Sequence, residues 1–163
     1  MTEISPMVRT ALFVADLPAS RQFYEQILGL QECWFEGELT EGNAHQLLGM
    51  PAGTHTRACI LKAPGPAWGM VGLFEITQPQ PPRLSRELDS INQGETCLVF
   101  YCADLDPVVE ALQAGDHQIL CEPVHLKIGT QVKQREMCCR DPDGILINLI
   151  EWDPENAQRP EHS

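Results

Sequence analysis

Hydrophobic and polar positions along this chain change period in the same order twice. FVADLPASRQFYEQILGL and FYCADLDPVVEALQAGDHQIL share one layout: an alternating run, the triplet Ala-Asp-Leu, apolar residues at helical spacing, a glycine, and a further apolar run. The two triplets begin at residues 15 and 103, an offset of 88. Leu17, Phe23/Tyr24 and Ile27/Leu28 make the apolar stripe of the first predicted helix; Leu105, Val108/Val109 and Leu112 make that of the second. Asp16 and Asp104 are expected N-caps, because their side-chain oxygens accept from backbone N–H groups that no earlier carbonyl can reach. Pro18 and Pro107 fall in the first turn, where a missing N–H costs little. Gly29 and Gly115 are expected to stop the two helices.

Three strand candidates follow each helix, at about 30–38, 55–63 and 70–77, then at about 117–126, 132–140 and 145–152. Asp143-Gly144 marks the turn between the last two, and Pro64-Gly65-Pro66 breaks the first half in a similar way. Each half therefore reads β-α-β-β-β, an α+β protein built from a repeated module. The expected boundaries are a first module at 1–78 with an insertion at 37–53, a linker at 79–94, a second module at 95–153 and a polar tail at 154–163. The insertion carries a predicted short helix around Ala44–Leu48, and the linker one helical turn at 83–90. A four-stranded sheet with one helix leaves a face half exposed. Two copies are expected to share a concave cleft, the kind of place where small molecules bind.

Composition narrows the classes. With 43% hydrophobic and 21% charged residues the chain is ordinary globular material, and no apolar run is long enough to span a bilayer. The start, MTEISPMVRT, has no signal-peptide pattern, so the cytoplasm is the expected location. A net charge of −12 repels phosphate backbones and anionic lipid, which argues against nucleic acid or membrane as partner. Seven cysteines, with no C-x-x-C among them, argue against a disulfide framework or zinc ribbon. Dinucleotide, nucleotide-triphosphate and serine-hydrolase motifs are all missing.

The segments VADLPASRQFYEQILGL, GLFEITQ and RDPDGILINLIEW resemble the vicinal oxygen chelate superfamily: glyoxalase I, bleomycin-resistance proteins, methylmalonyl-CoA epimerase and extradiol dioxygenases. The resemblance implies a glyoxalase-like fold, with paired curved mixed sheets around the shared cleft, and a homodimer. Metal-dependent members take one ligand from the first and one from the last strand of each module. Carried over by spacing, those places are Arg9, Glu75, Cys97 and Asn148, of which only Glu75 suits a divalent cation. Arginine stays protonated and repels a cation, so the usual metal site reads as degenerate and no cofactor is expected.

Glu75, set among Val71, Leu73, Phe74 and Ile76, needs a partner if it leaves water, and the resemblance implies Arg9, on a neighbouring cleft-facing strand position, as that partner. Alternation then gives Ala11, Phe13, Val71, Leu73, Val99, Tyr101, Leu146 and Ile150 as further cleft-facing residues. The expected ligand-binding set is Arg9, Phe13, Glu75, Cys97, Tyr101 and Asn148. Two functions stay open. One is a binder of a small, largely apolar or aromatic molecule, without turnover. The other is a lyase, isomerase or epimerase with Glu75 as base and Arg9 holding an oxyanion, working without metal or with a divalent metal held by Glu75 or by ligands such as His125 or Glu136. A regulatory domain with an empty cleft is a third, weaker reading. Cys97 reads as a packed thiol or, with Arg9 beside it, a nucleophile.

Overall fold

The computed structural model describes residues 4–129 and 131–151, without the side chains of 131–133; the expected tail at 154–163 lies outside the described residues. The chain divides into two compact units between Ser85 and Arg86.

In the first unit, β1 (Arg9–Phe13), α1 (Leu17–Gln26), β2 (Glu32–Glu38), the short α2 (Ala44–Leu47), β3 (His55–Lys62) and β4 (Met70–Gln78) follow one another. Their sheet has the order β1-β4-β3-β2, with β1 parallel to β4 and the other pairs antiparallel. Asp16 caps α1 as its sequence position dictates, its Oδ1 accepting from the Ala19 N–H at 2.9 Å. Leu17, Phe23 and Tyr24 of α1 are buried. So are Leu12, Cys59, Leu61, Val71 and Leu73, which alternation places on one face of the sheet. That face is the one α1 covers: Arg21 of the helix lies close to Cys59 and pairs with Glu36 at 2.9 Å, and Glu36 stands opposite Cys59 in the strand register.

The second unit repeats the order with β5 (Cys97–Cys102), α3 (Asp106–Ala114), β6 (Ile119–Ile128), β7 (Gln131–Arg140) and β8 (Leu146–Glu151), in a sheet ordered β5-β8-β7-β6. Again the first and last strands run parallel. Leu98, Leu105, Leu112, Met137, Cys139, Ile147 and Leu149 form its core. Asp104 sits one residue further out than a standard cap, accepting from the Asp106 N–H at 2.9 Å.

The helical turn expected at 83–90 does not form. The end of that stretch is instead held in place by Arg140, 1% exposed, which donates to Leu88 O at 2.7 Å and to Ser90 O. Its Nη1 also donates to Gly144 O at 2.8 Å and pairs with Glu95. One guanidinium thus ties residues 88–95 to the Asp143-Gly144 turn.

Candidate functional site

The strand registers decide which side chains share a surface, because directly paired residues point to the same face. In the first unit Arg9, Ala11 and Phe13 stand opposite Met70, Gly72 and Phe74. The Phe13 and Phe74 rings lie 6.1 Å apart, and a Cβ built on Gly72 would meet Phe74 and the Arg9 side chain. Ala58 and Ile60 of β3 pair with Phe74 and Gly72. This helix-free face is apolar apart from Arg9 at one end and the buried Thr56, opposite Ile76, at the other, and Phe13 remains 52% exposed on it.

Glu75 lies on the other face. It is five residues from Met70, an odd number, so it projects with Leu73 and Val71 toward the α1 side. The expected Arg9–Glu75 pair does not form. Glu75, 9% exposed, is held instead by Arg57, its cross-strand neighbour on β3, whose Nε donates to Oε2 at 2.7 Å and whose Nη2 reaches the same oxygen. The same parity corrects Val71 and Leu73, which are core residues and not part of an open face. The reason lies in the parallel β1–β4 pairing: spacing from the sequence motif gave no register, and a one-residue error in register reverses the face.

The second unit supplies the check. Cys97 stands opposite Leu146 as Arg9 stands opposite Met70. Two residues on from Leu146 is Asn148, and two on from Met70 is Gly72; five on are Glu151 and Glu75. Glu151 is likewise paired with an arginine of the third strand, Arg135, at 3.3 Å, and its Oε1 also accepts the Leu105 N–H at 3.1 Å, just ahead of α3. Arg135 bonds Asp106 of α3 as well. Glu75–Arg57 is therefore one copy of a duplicated ion pair on the helix side of each sheet, and Gly72 is the counterpart of Asn148.

On the helix-free face of the second sheet, Cys97, Val99 and Tyr101 of β5 accompany Leu146, Asn148 and Ile150 of β8 and Glu136 and Cys138 of β7. Val99 and Tyr101 are more than half exposed. The Asn148 amide donates to Glu136 Oε2 at 3.2 Å, to Met137 O at 3.2 Å and to Cys138 Sγ at 3.7 Å. Burial pushes the Cys97 thiol up, with the Cys138 sulfur adding to the effect, so it is held protonated at neutral pH.

The places that resemblance assigns to metal ligands, put into register, are Arg9, Gly72, Cys97 and Asn148: a fixed cation, a residue with no side chain, a protonated thiol and a neutral amide. This set does not fit a divalent metal. His125 stands opposite Arg135, and Glu136 opposite Val124, so these alternative ligands project to opposite faces of the β6–β7 pair. Among the described residues no three His, Cys, Asp or Glu side chains gather where they could hold a metal ion.

Sequence reasoning offered Glu136 only as an alternative metal ligand and did not place Cys138 on this face. The turn signal by itself misleads here: a two-residue Asp143-Gly144 turn would set Cys139 opposite Asn148, whereas the observed register is centred on Asp143 and sets Cys138 opposite Asn148 and Glu136 opposite Ile150.

Comparison with known proteins agrees with this architecture. The model of the Glyoxalase/Bleomycin resistance protein/Dioxygenase superfamily matches residues 7–149. The chain belongs to that superfamily. In structure it is similar to a glyoxalase family protein from Bacillus cereus, with a TM-score of 0.77, 18% identity and coverage of 92% of this chain and 95% of that one. It is also similar to a superfamily member from Sphaerobacter thermophilus, at a TM-score of 0.55, 17% identity and coverage of 91% and 98%. A glyoxalase I mutant from Zea mays aligns at a TM-score of 0.62 and 15% identity, over 90% of this chain and 45% of the maize chain. No curated protein matches in sequence. At these identities the structural likeness speaks for the fold of this superfamily member, whose two sheets follow the glyoxalase-like plan. No helix among the described residues is long and apolar enough to cross a membrane.

Proposed function

We propose that this glyoxalase-superfamily protein binds a small, largely apolar or aromatic molecule on its helix-free sheet faces, without the metal chemistry of the family's chelating members. The observation that carries the reading is Gly72 at the counterpart of Asn148, with Arg9 beside it. That arrangement removes a donor, adds a fixed positive charge and leaves the exposed Phe13 ring next to Phe74. Aromatic surface plus a few polar groups is the usual make-up of a small-molecule site. On the first sheet Arg9 would hold a carboxylate or other anionic substituent; on the second, taken by itself, Tyr101, Cys97 and Asn148 are the polar groups that the face offers a ligand. Glu75 is read as structural, held by Arg57.

The test is native mass spectrometry together with elemental analysis of protein purified without chelator. A retained organic molecule and metal well below one equivalent support the reading; one equivalent of bound metal overturns it.

A second reading keeps an isomerase, epimerase or lyase, with its base moved from Glu75 to Glu136. Its support is that Glu136 is a carboxylate on the helix-free face, oriented by the Asn148 amide at 3.2 Å. Turnover of a carbonyl substrate that disappears in Glu136→Gln and persists in Glu75→Gln would favour it.

A further inference from the structure

Cys121 and Cys138 stand directly opposite each other across the β6–β7 pair. Their meeting depends on an irregularity. Ile119 pairs with Cys139 and Cys121 with Cys138, so Leu120 is an extra residue in β6. Were the Ile119–Cys139 register to continue unbroken, Leu120 would oppose Cys138. The bulge also keeps the buried Cys139 on the core face with Ile119, and both partner thiols on the face that carries Asn148. A second register shift follows Cys121, between it and Val124, leaving Cys121 between two breaks in the ladder. Directly opposed residues of an antiparallel pair have Cα atoms about 4.5–5.5 Å apart, inside the range of about 4.4–6.8 Å that a disulfide spans.

Their surroundings divide the roles. Cys121 is exposed, and its Sγ touches only a local backbone oxygen, Glu122 O at 3.4 Å, among the bonds of the described residues. Cys138 is half-buried and accepts the Asn148 amide at 3.7 Å. Burial pushes the Cys138 thiol up, so Cys121 is the sulfur that meets a reagent from solution first.

We propose that Cys121 and Cys138 form a dithiol site for small-molecule disulfides, closing to a cross-strand disulfide on the helix-free face of the second sheet. The Cys121 thiolate attacks one sulfur of the small disulfide, forming a mixed disulfide and expelling one small thiolate. The Cys138 thiolate then attacks the Cys121 sulfur, closing the protein disulfide and expelling the second small thiolate. Two protein thiols are oxidised, one small disulfide is reduced to two thiols, and both protons end on the departing thiols. A small thiol reverses both steps. The site rests on the β6–β7 register and stands whatever ligand the face takes.

The experiment uses the full chain and oxidised glutathione. Intact mass is expected to fall by two hydrogen atoms with no retained glutathione, and fragment sequencing to join Cys121 to Cys138. Cys138→Ser is expected to keep glutathione attached at Cys121, and Cys33→Ser, at an exposed cysteine of the first unit, to close as the wild type does. Dithiothreitol should restore the starting mass. Glutathione that stays on Cys121 in the wild type, a bridge joining any other pair, or no reaction at Cys121 overturns the proposal. Because no ligand takes part, failure here leaves the binding reading untouched, and failure of that reading leaves the dithiol in place.

Discussion

Arg57 and Arg9 are two arginines on one sheet with opposite duties. Arg57 neutralises a nearly buried carboxylate on the helix side, so its loss leaves Glu75 uncompensated. Arg57→Met is expected to lower stability by about 1–3 kcal/mol, the usual cost of stranding a polar group, while ligand affinity stays near wild type. Arg9 is exposed and, among the described residues, makes no ion pair. Arg9→Met should leave the melting temperature unchanged and weaken an anionic ligand. Thermal denaturation and titration calorimetry on both variants separate the two roles; the reverse pattern would restore the Arg9–Glu75 pairing. Cys97 gives a further residue-level expectation. With its thiol pushed up by burial, it should alkylate slowly at neutral pH and speed up as pH rises, which peptide mapping after iodoacetamide can follow.

Among the elements, the segment between the sheets is held by charge rather than by helix. Arg140 holds the Glu95 carboxyl down to about 2, with Asn92 helping through bonds to Glu95. A depressed carboxyl contributes stability that is fully present above its unfolded value, about 4.3, and is lost as pH falls through the folded one. The urea midpoint of Glu95→Gln should therefore lie below wild type at neutral pH, and the gap should shrink as pH drops from about 4 toward 2. A gap independent of pH would remove the Arg140–Glu95 pair from the account. Little of this was legible in the sequence. A polar, proline-rich stretch identifies a linker, but nothing local says that Leu88 and Ser90 give their carbonyls to a residue some fifty positions on. The Asp16 cap and the Asp143-Gly144 turn were legible because each is made within a few residues.

Across the whole molecule, duplication makes the chain its own control. Glu75–Arg57 and Glu151–Arg135 recur at matching places, which marks them as parts of the module, whereas Gly72 against Asn148 and Arg9 against Cys97 mark where the halves have diverged. The divergence falls on the helix-free faces, one nearly apolar and one polar. A chain whose family ligand places hold no workable donor set should not depend on a cation. Dialysis against EDTA is expected to leave the melting temperature and ligand binding unchanged; a fall restored by one divalent metal would contradict that.

Patterning along the chain determined the two βαβββ modules, their helices, the superfamily and the strand segments, since each arises from periodicity or capping over a few neighbouring residues. It also determined that Arg9, Phe13, Cys97, Tyr101 and Asn148 lie in strands. Only the tertiary structure decided the face of Glu75 and the meeting of Cys121 with Cys138. Both depend on register between strands distant in sequence, in one case across a parallel pair and in the other past a bulge at Leu120. A shift of one residue reverses every side chain in a strand while leaving its alternation intact, so alternation alone carries no record of which face is inside.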